Sequence, residues 1–118
     1  MRANPEFWLA LDRLIEQNKP VIDRPKGSAH PRYPGMIYPL DYGYLRGTSA
    51  QDGGGIDCFL GSQAEAALAG ILVTVDLLKR ESEIKLLLGC TCEEMALAQA
   101  FLSDSCQMKA LLVERNPA

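Results

Sequence analysis

At 118 residues the chain is the size of one ordinary domain, and its 47% hydrophobic and 23% charged residues exclude disorder and fibrous architectures. A net charge of -3 with no local basic patch sets nucleic acid aside as a partner. The start, MRANPEF, lacks the basic-then-apolar pattern of a secretory leader, and no apolar run approaches membrane-spanning length, so no membrane partner and a cytoplasmic location are expected.

Asn4 is placed to cap a helix that opens with Pro5, and Phe7, Trp8, Leu11, Leu14 and Ile15 then recur at helical spacing, which predicts a helix over residues 5–17. Asn18 with Pro20 two residues later is the stop signal. A short strand over Val21–Asp23 follows. Residues 24–55 hold most of the prolines, glycines and tyrosines and read as loops and short extended pieces, the kind of segment on which functional groups concentrate. IDCFLGS reads as a short buried strand. Ile71–Leu78 and Glu83–Cys90 read as two strands of a hairpin joined by KRES.

Thr91 with Glu94 three residues later matches a capping box, and Met95, Leu97, Ala98, Phe101 and Leu102 predict a helix ending near Asp104. KALLVE is expected to close the sheet as a last strand, although KALL is also helix-compatible. The four cysteines, Cys58, Cys90, Cys92 and Cys106, lack both a disulfide framework and paired CxxC spacing, so they are expected as reduced thiols. His30, alone between Ala29 and Pro31, reads as a surface loop residue, because a metal site built on it would need partners.

The glycine run in SAQDGGGIDCFL is flanked by Asp52 and Asp57, two hard oxygen donors that a flexible turn can bring onto one divalent cation. An Asp-Gly step is also a common hairpin turn, and the pattern alone leaves both readings open. The preceding stretch, VIDRPKGSAHPRYPGMIYPLDYGYLRGT, weighs on the choice. Its Ile-acid-x-Pro-Lys-Gly-Ser start, basic-Tyr pair, Tyr-Pro-x-x-Tyr-Gly-Tyr run and Asp-Gly-anchored acidic loop resemble, in order, the soluble inorganic pyrophosphatases. The resemblance covers residues 21–62 well, the hairpin moderately and the two ends poorly.

That resemblance implies an α+β fold over a single domain, residues 1–118: a small closed or partly open β-barrel of OB-like, pyrophosphatase type, flanked by an N-terminal and a C-terminal helix. It also implies hydrolysis of pyrophosphate, or of another small phosphorylated molecule, with Mg2+ or Mn2+. Carried over by position, Asp52 and Asp57 match the outer aspartates of a metal loop, and Asp23 and Glu83 match two further metal ligands. Tyr38, Tyr42, Arg32 and Lys85 match substrate-binding positions, with Tyr42, Arg32 and Lys85 in the catalytic set. Arg32 stands where a lysine is usual, and its fork can engage two phosphate oxygens. Without the resemblance, Tyr38, Tyr42 and Tyr44 would be read as packing a barrel with their hydroxyls at its rim.

Departures from the pattern matter as much. Gly54 stands where the resemblance expects the carboxylate that takes a proton from the attacking water. The stretch between Arg32 and Tyr38 is too short for the expected hairpin and its phosphate-binding arginine, and neither an adjacent acidic pair near Leu77–Arg80 nor a C-terminal Tyr-Lys dipeptide is found. Two functions are therefore weighed: a weak or altered metal-dependent hydrolase, and a non-catalytic module binding a phosphorylated ligand, a metal or a protein. A homo-oligomer is expected, with Phe7, Trp8 and Leu11 supplying the contact surface.

Overall fold

A computed structural model describes residues 4–50 and 53–116. The first helix, α1 (Pro5–Gln17), starts where Asn4 accepts a hydrogen bond from the Phe7 amide. Strands β1 (Pro20–Arg24), β2 (Asp41–Leu45), β3 (Asp57–Leu60), β4 (Leu68–Asp76) and β5 (Glu81–Leu88) follow, then α2 (Cys92–Ser103) and β6 (Met108–Glu114). The capping box of α2 is complete: Thr91 accepts from the Glu94 amide and Glu94 accepts from the Thr91 amide.

The strands form one sheet in the order β1-β2-β3-β5-β4-β6. All neighbours are antiparallel except β3 and β5, which run parallel through Cys58↔Leu86 to Leu60↔Leu88. The ends of the order, β1 and β6, are not paired with each other among the described residues, so of the two expected forms the sheet takes the partly open one. Alternation puts two layers on its faces. Trp8 of α1 packs with Leu45, Cys58, Ile71, Leu86 and Val113 on one face, while Met95, Ala98 and Leu102 of α2 pack with Tyr38, Phe59, Leu72 and Leu87 on the other.

The reading of 24–55 as loops and short extended pieces contains a whole strand, β2. Its sequence, DYGYL, carries a glycine that usually weakens a strand, but here β1 passes so close that a Cβ on Gly43 would meet the Val21 carbonyl oxygen at 1.8 Å. The hairpin of β4 and β5 sits two residues earlier than expected. Its turn is Leu77–Arg80, fixed by Asp76, which accepts from the Leu78 and Lys79 amides, and by Arg80 at φ 58°. Trp8 is only 4% exposed and Phe7 and Leu11 pack beside it on the chain's own sheet, so these residues do not offer the free surface expected of them. All four cysteines are free thiols, Cys58 and Cys90 buried, Cys92 and Cys106 exposed. No helix among the described residues is long and apolar enough to cross a membrane.

Candidate functional site

On the α2 face the sheet forms the floor of a cleft of about 730 Å³. Strand pairing dictates which side chains line it, because residues directly opposite share a face: Tyr42 lies opposite Phe59, Tyr44 opposite Asp57, Leu72 opposite Lys85 and Thr74 opposite Glu83. Lys85 is 6% exposed and stands at the centre. Its ammonium donates to Asp57 Oδ2 at 2.8 Å, to Tyr42 Oη at 3.0 Å and to Glu83 Oε2 at 3.2 Å. Tyr42 in turn donates its hydroxyl hydrogen to Asp57 Oδ2 at 2.6 Å.

Burial alone would draw the Lys85 ammonium down, but the Tyr42 oxygen and the Asp57 carboxylate outweigh it and hold its pKa above the ordinary lysine value. Burial pushes the Tyr42 phenol up, so it enters the network as a neutral donor. A cation surrounded by two carboxylates and a phenol is thus fixed in place, with all three of its N–H donors engaged.

A β-bulge shapes the next part of the wall. The register steps from Ile22↔Gly43 to Arg24↔Tyr42, which leaves Asp23 as the extra residue and turns Arg24 onto the Tyr42 face. The Arg24 guanidinium lies 5.7 Å from the Tyr38 ring centroid and 5.8 Å from that of Tyr42, and it donates to the Tyr38 hydroxyl. Arg24 escaped the sequence reading because a one-residue bulge leaves no trace in a period-two pattern.

His30 is the second residue the sequence reading missed. It lies in a loop as expected, but half-buried in the cleft wall, its ring stacked on Tyr38 at 6.0 Å and 9°. Its Nδ1 accepts from the Arg32 and Tyr33 amides, so the neutral ring carries its proton on Nε2. Burial lowers its pKa, and Arg24, Lys79 and Arg32 lower it further.

Of the residues carried over from the resemblance, Tyr42, Asp57, Glu83 and Lys85 are brought into one hydrogen-bonded network. Tyr38 is buried outside that network, its ring 5.1 Å from that of Tyr42 and its hydroxyl accepting from Arg24, while Arg32 and Asp23 are exposed residues on the cleft wall. Asp52 lies outside the described residues, and Gly54 is in the loop ahead of β3. Basic Arg24, Arg32, Lys79 and Lys85 thus face acidic Asp23, Asp57, Asp76, Glu81 and Glu83 across one space.

Among the described residues no three His, Cys, Asp or Glu side chains gather closely enough to hold a metal ion by themselves. The donors nevertheless suit magnesium in kind. That ion commonly takes one or two carboxylates and fills its octahedron with water and phosphate oxygens. Asp57 and Glu83 can supply two, and the bonds to Lys85 and Tyr42 all fall on Oδ2 of Asp57, leaving Oδ1 outside that network.

No family model and no curated protein matches the chain. Solved structures do. An inorganic pyrophosphatase from Coxiella burnetii superposes with a TM-score of 0.62 at 14% identity, over 81% of this chain and 84% of that one. An inorganic pyrophosphatase from Helicobacter pylori gives 0.59 at 17% identity, over 80% and 81%. At this level of identity the likeness concerns architecture, and the partly open α+β sheet with its two helices is the pyrophosphatase fold.

Proposed function

We propose that the protein binds a small phosphorylated molecule together with a divalent cation in this cleft and slowly hydrolyses its phosphoanhydride bond. The observation that carries this reading is the Lys85 network: a buried cation fixed between Tyr42, Asp57 and Glu83, with Arg24 on the neighbouring wall. The walls carry both signs, so a phosphate is attracted by Lys85 and Arg24 but repelled by the carboxylates unless a cation lies between. Asp57 and Glu83, with Asp23 on the same cleft wall and Asp52 five residues before Asp57 in the sequence, would hold Mg2+ or Mn2+. Bound there, such an ion polarises the phosphoryl group and lowers the pKa of a water.

The chain's own residues then hold the ligand. Lys85 and Arg24 bind phosphoryl oxygens, Arg32 adds a flexible cation at the rim, and Tyr42 offers its hydroxyl. In the reaction a water oxygen bonds to one phosphorus as the bridging P–O bond breaks. The departing phosphate keeps the bonding pair, and the water loses its proton to solvent because Gly54 offers no carboxylate. A missing general base costs about 10²–10⁴-fold, which is why slow turnover is expected.

Phosphate release from pyrophosphate with magnesium or manganese tests this. Slow release that Gly54→Asp raises at least about tenfold, about 1.4 kcal/mol off the barrier, supports catalysis. A folded Gly54→Asp protein that binds magnesium and pyrophosphate but releases no phosphate supports the second reading, a non-catalytic binding module. Two observations favour that reading: Gly54 itself, and the Lys85 ammonium seated on the carboxylates a metal would use.

A further inference from the structure

We infer that the ligand this cleft is shaped for is an organic diphosphate, R–O–P–O–P, with an apolar or aromatic R group, in preference to inorganic pyrophosphate. The inference rests on the reading above that phosphate sits at Lys85, and concerns what extends from it. Beyond Lys85 the cleft continues as a row of rings with the Arg24 guanidinium against the first two. From Lys85 the floor runs to Tyr42, its ring 5.6 Å from the ammonium, then to Tyr38 at 5.1 Å between centroids, and on to Phe101 at 4.8 Å. His30 stacks on Tyr38 at this far end and Tyr33 leans on His30 at 5.2 Å.

Tyr33 is 44% exposed and sits in a tight turn where Met36 N donates to the Tyr33 carbonyl and His30 N to the Met36 carbonyl. No core packing explains an aromatic ring there, whereas a ligand's apolar group would cover it. His30 is suited to the same role. With Nδ1 held by two backbone amides and its pKa depressed, it stays neutral and presents a flat face instead of a charge. Room is ample as well: about 730 Å³ lies within the range of sites that enclose drug-sized organic molecules, and a pair of phosphate groups fills only part of it.

Calorimetric titration of the full chain in magnesium compares three probes: inorganic pyrophosphate, adenosine diphosphate and geranyl diphosphate. The two organic probes separate a stacking base from an aliphatic tail. At least one should bind about tenfold tighter than pyrophosphate, the gain from burying roughly 60 Å² of apolar surface. Tyr33→Ala, at an exposed turn that bears little folding load, should narrow that gap at least about threefold and leave pyrophosphate binding unchanged, since about 0.6 kcal/mol of ring contact suffices. Pyrophosphate binding as tightly as both organic probes overturns the inference and leaves the phosphate site standing. Binding of none overturns both.

Discussion

The two faces of the sheet use the same strands for different purposes. Under α1, Leu45, Cys58, Ile71, Leu86 and Leu88 make an aliphatic layer sealed by Trp8. Under α2, the layer of Phe59, Leu72 and Leu87 continues into Tyr38, Tyr42 and Lys85, whose polar tips open into the cleft. Every buried side-chain nitrogen or oxygen among the described residues has a hydrogen-bond partner. One face therefore supplies cohesion, and the other places charge at a fixed point without stranding any polar atom.

Neighbours on β5 that point to opposite faces test this most directly. Leu86 is fully buried, and Leu86→Ala should cost about 3 kcal/mol in chemical denaturation while leaving ligand affinity within about twofold. Lys85→Met should do the reverse in binding, abolishing it. Its stability cost should stay near 2 kcal/mol, below that of breaking a fully buried pair, because the Asp57 side chain it leaves behind is 27% exposed. Equal binding losses in the two variants would erase the distinction between the faces.

A smaller effect comes from Tyr42→Phe, which keeps the ring but removes the hydroxyl linking Lys85 to Asp57. About 1–2 kcal/mol of stability should be lost, and pyrophosphate affinity should fall about tenfold. The helices sharpen the comparison further. Thr91→Ala removes the capping box of α2 and should cost about 1 kcal/mol; Asn4→Ala removes a single bond from α1 and should cost less.

The smallest expected effect is a pH dependence. The folded His30 pKa lies below its unfolded value near 6.5, so below that pH the unfolded chain binds a proton that the folded chain refuses. Stability contributed by His30 is present above about pH 6.5 and is lost as the pH falls. Denaturation midpoints at pH 7 and pH 5.5 should therefore differ less in His30→Gln than in the wild type.

Elements governed by local rules were legible in the sequence. Asn4 with Pro5, and Thr91 with Glu94, mark helix starts through bonds made within one turn, and both helices begin where those signals stand. Asp57, Tyr42, Glu83 and Lys85 were legible only through the order of motifs, because nothing local says that Lys85 will meet a tyrosine forty-three residues away. Arg24, His30 and Phe101 were not legible as site residues. Arg24 depends on a bulge, His30 on two backbone amides folding back on its ring, and Phe101 on a helix face that reads as ordinary core. The shifted β4–β5 turn has a comparable cause, since Asp76 wins the competition to cap it over the more polar KRES.

The parallel ladder between β3 and β5 has a consequence for how the chain comes together. It joins two stretches that are each continuous in sequence, β1 to β3 and β4 to β6, and the loop it must close is longer than that of any hairpin. Lys85 belongs to the second stretch and its partners Tyr42 and Asp57 to the first, so the proposed ligand site straddles the seam. A ligand that grips both sides acts as a clasp on the native state. In native-state hydrogen exchange it should slow the amides of Phe59 and Leu87 more than those in the middle of β4.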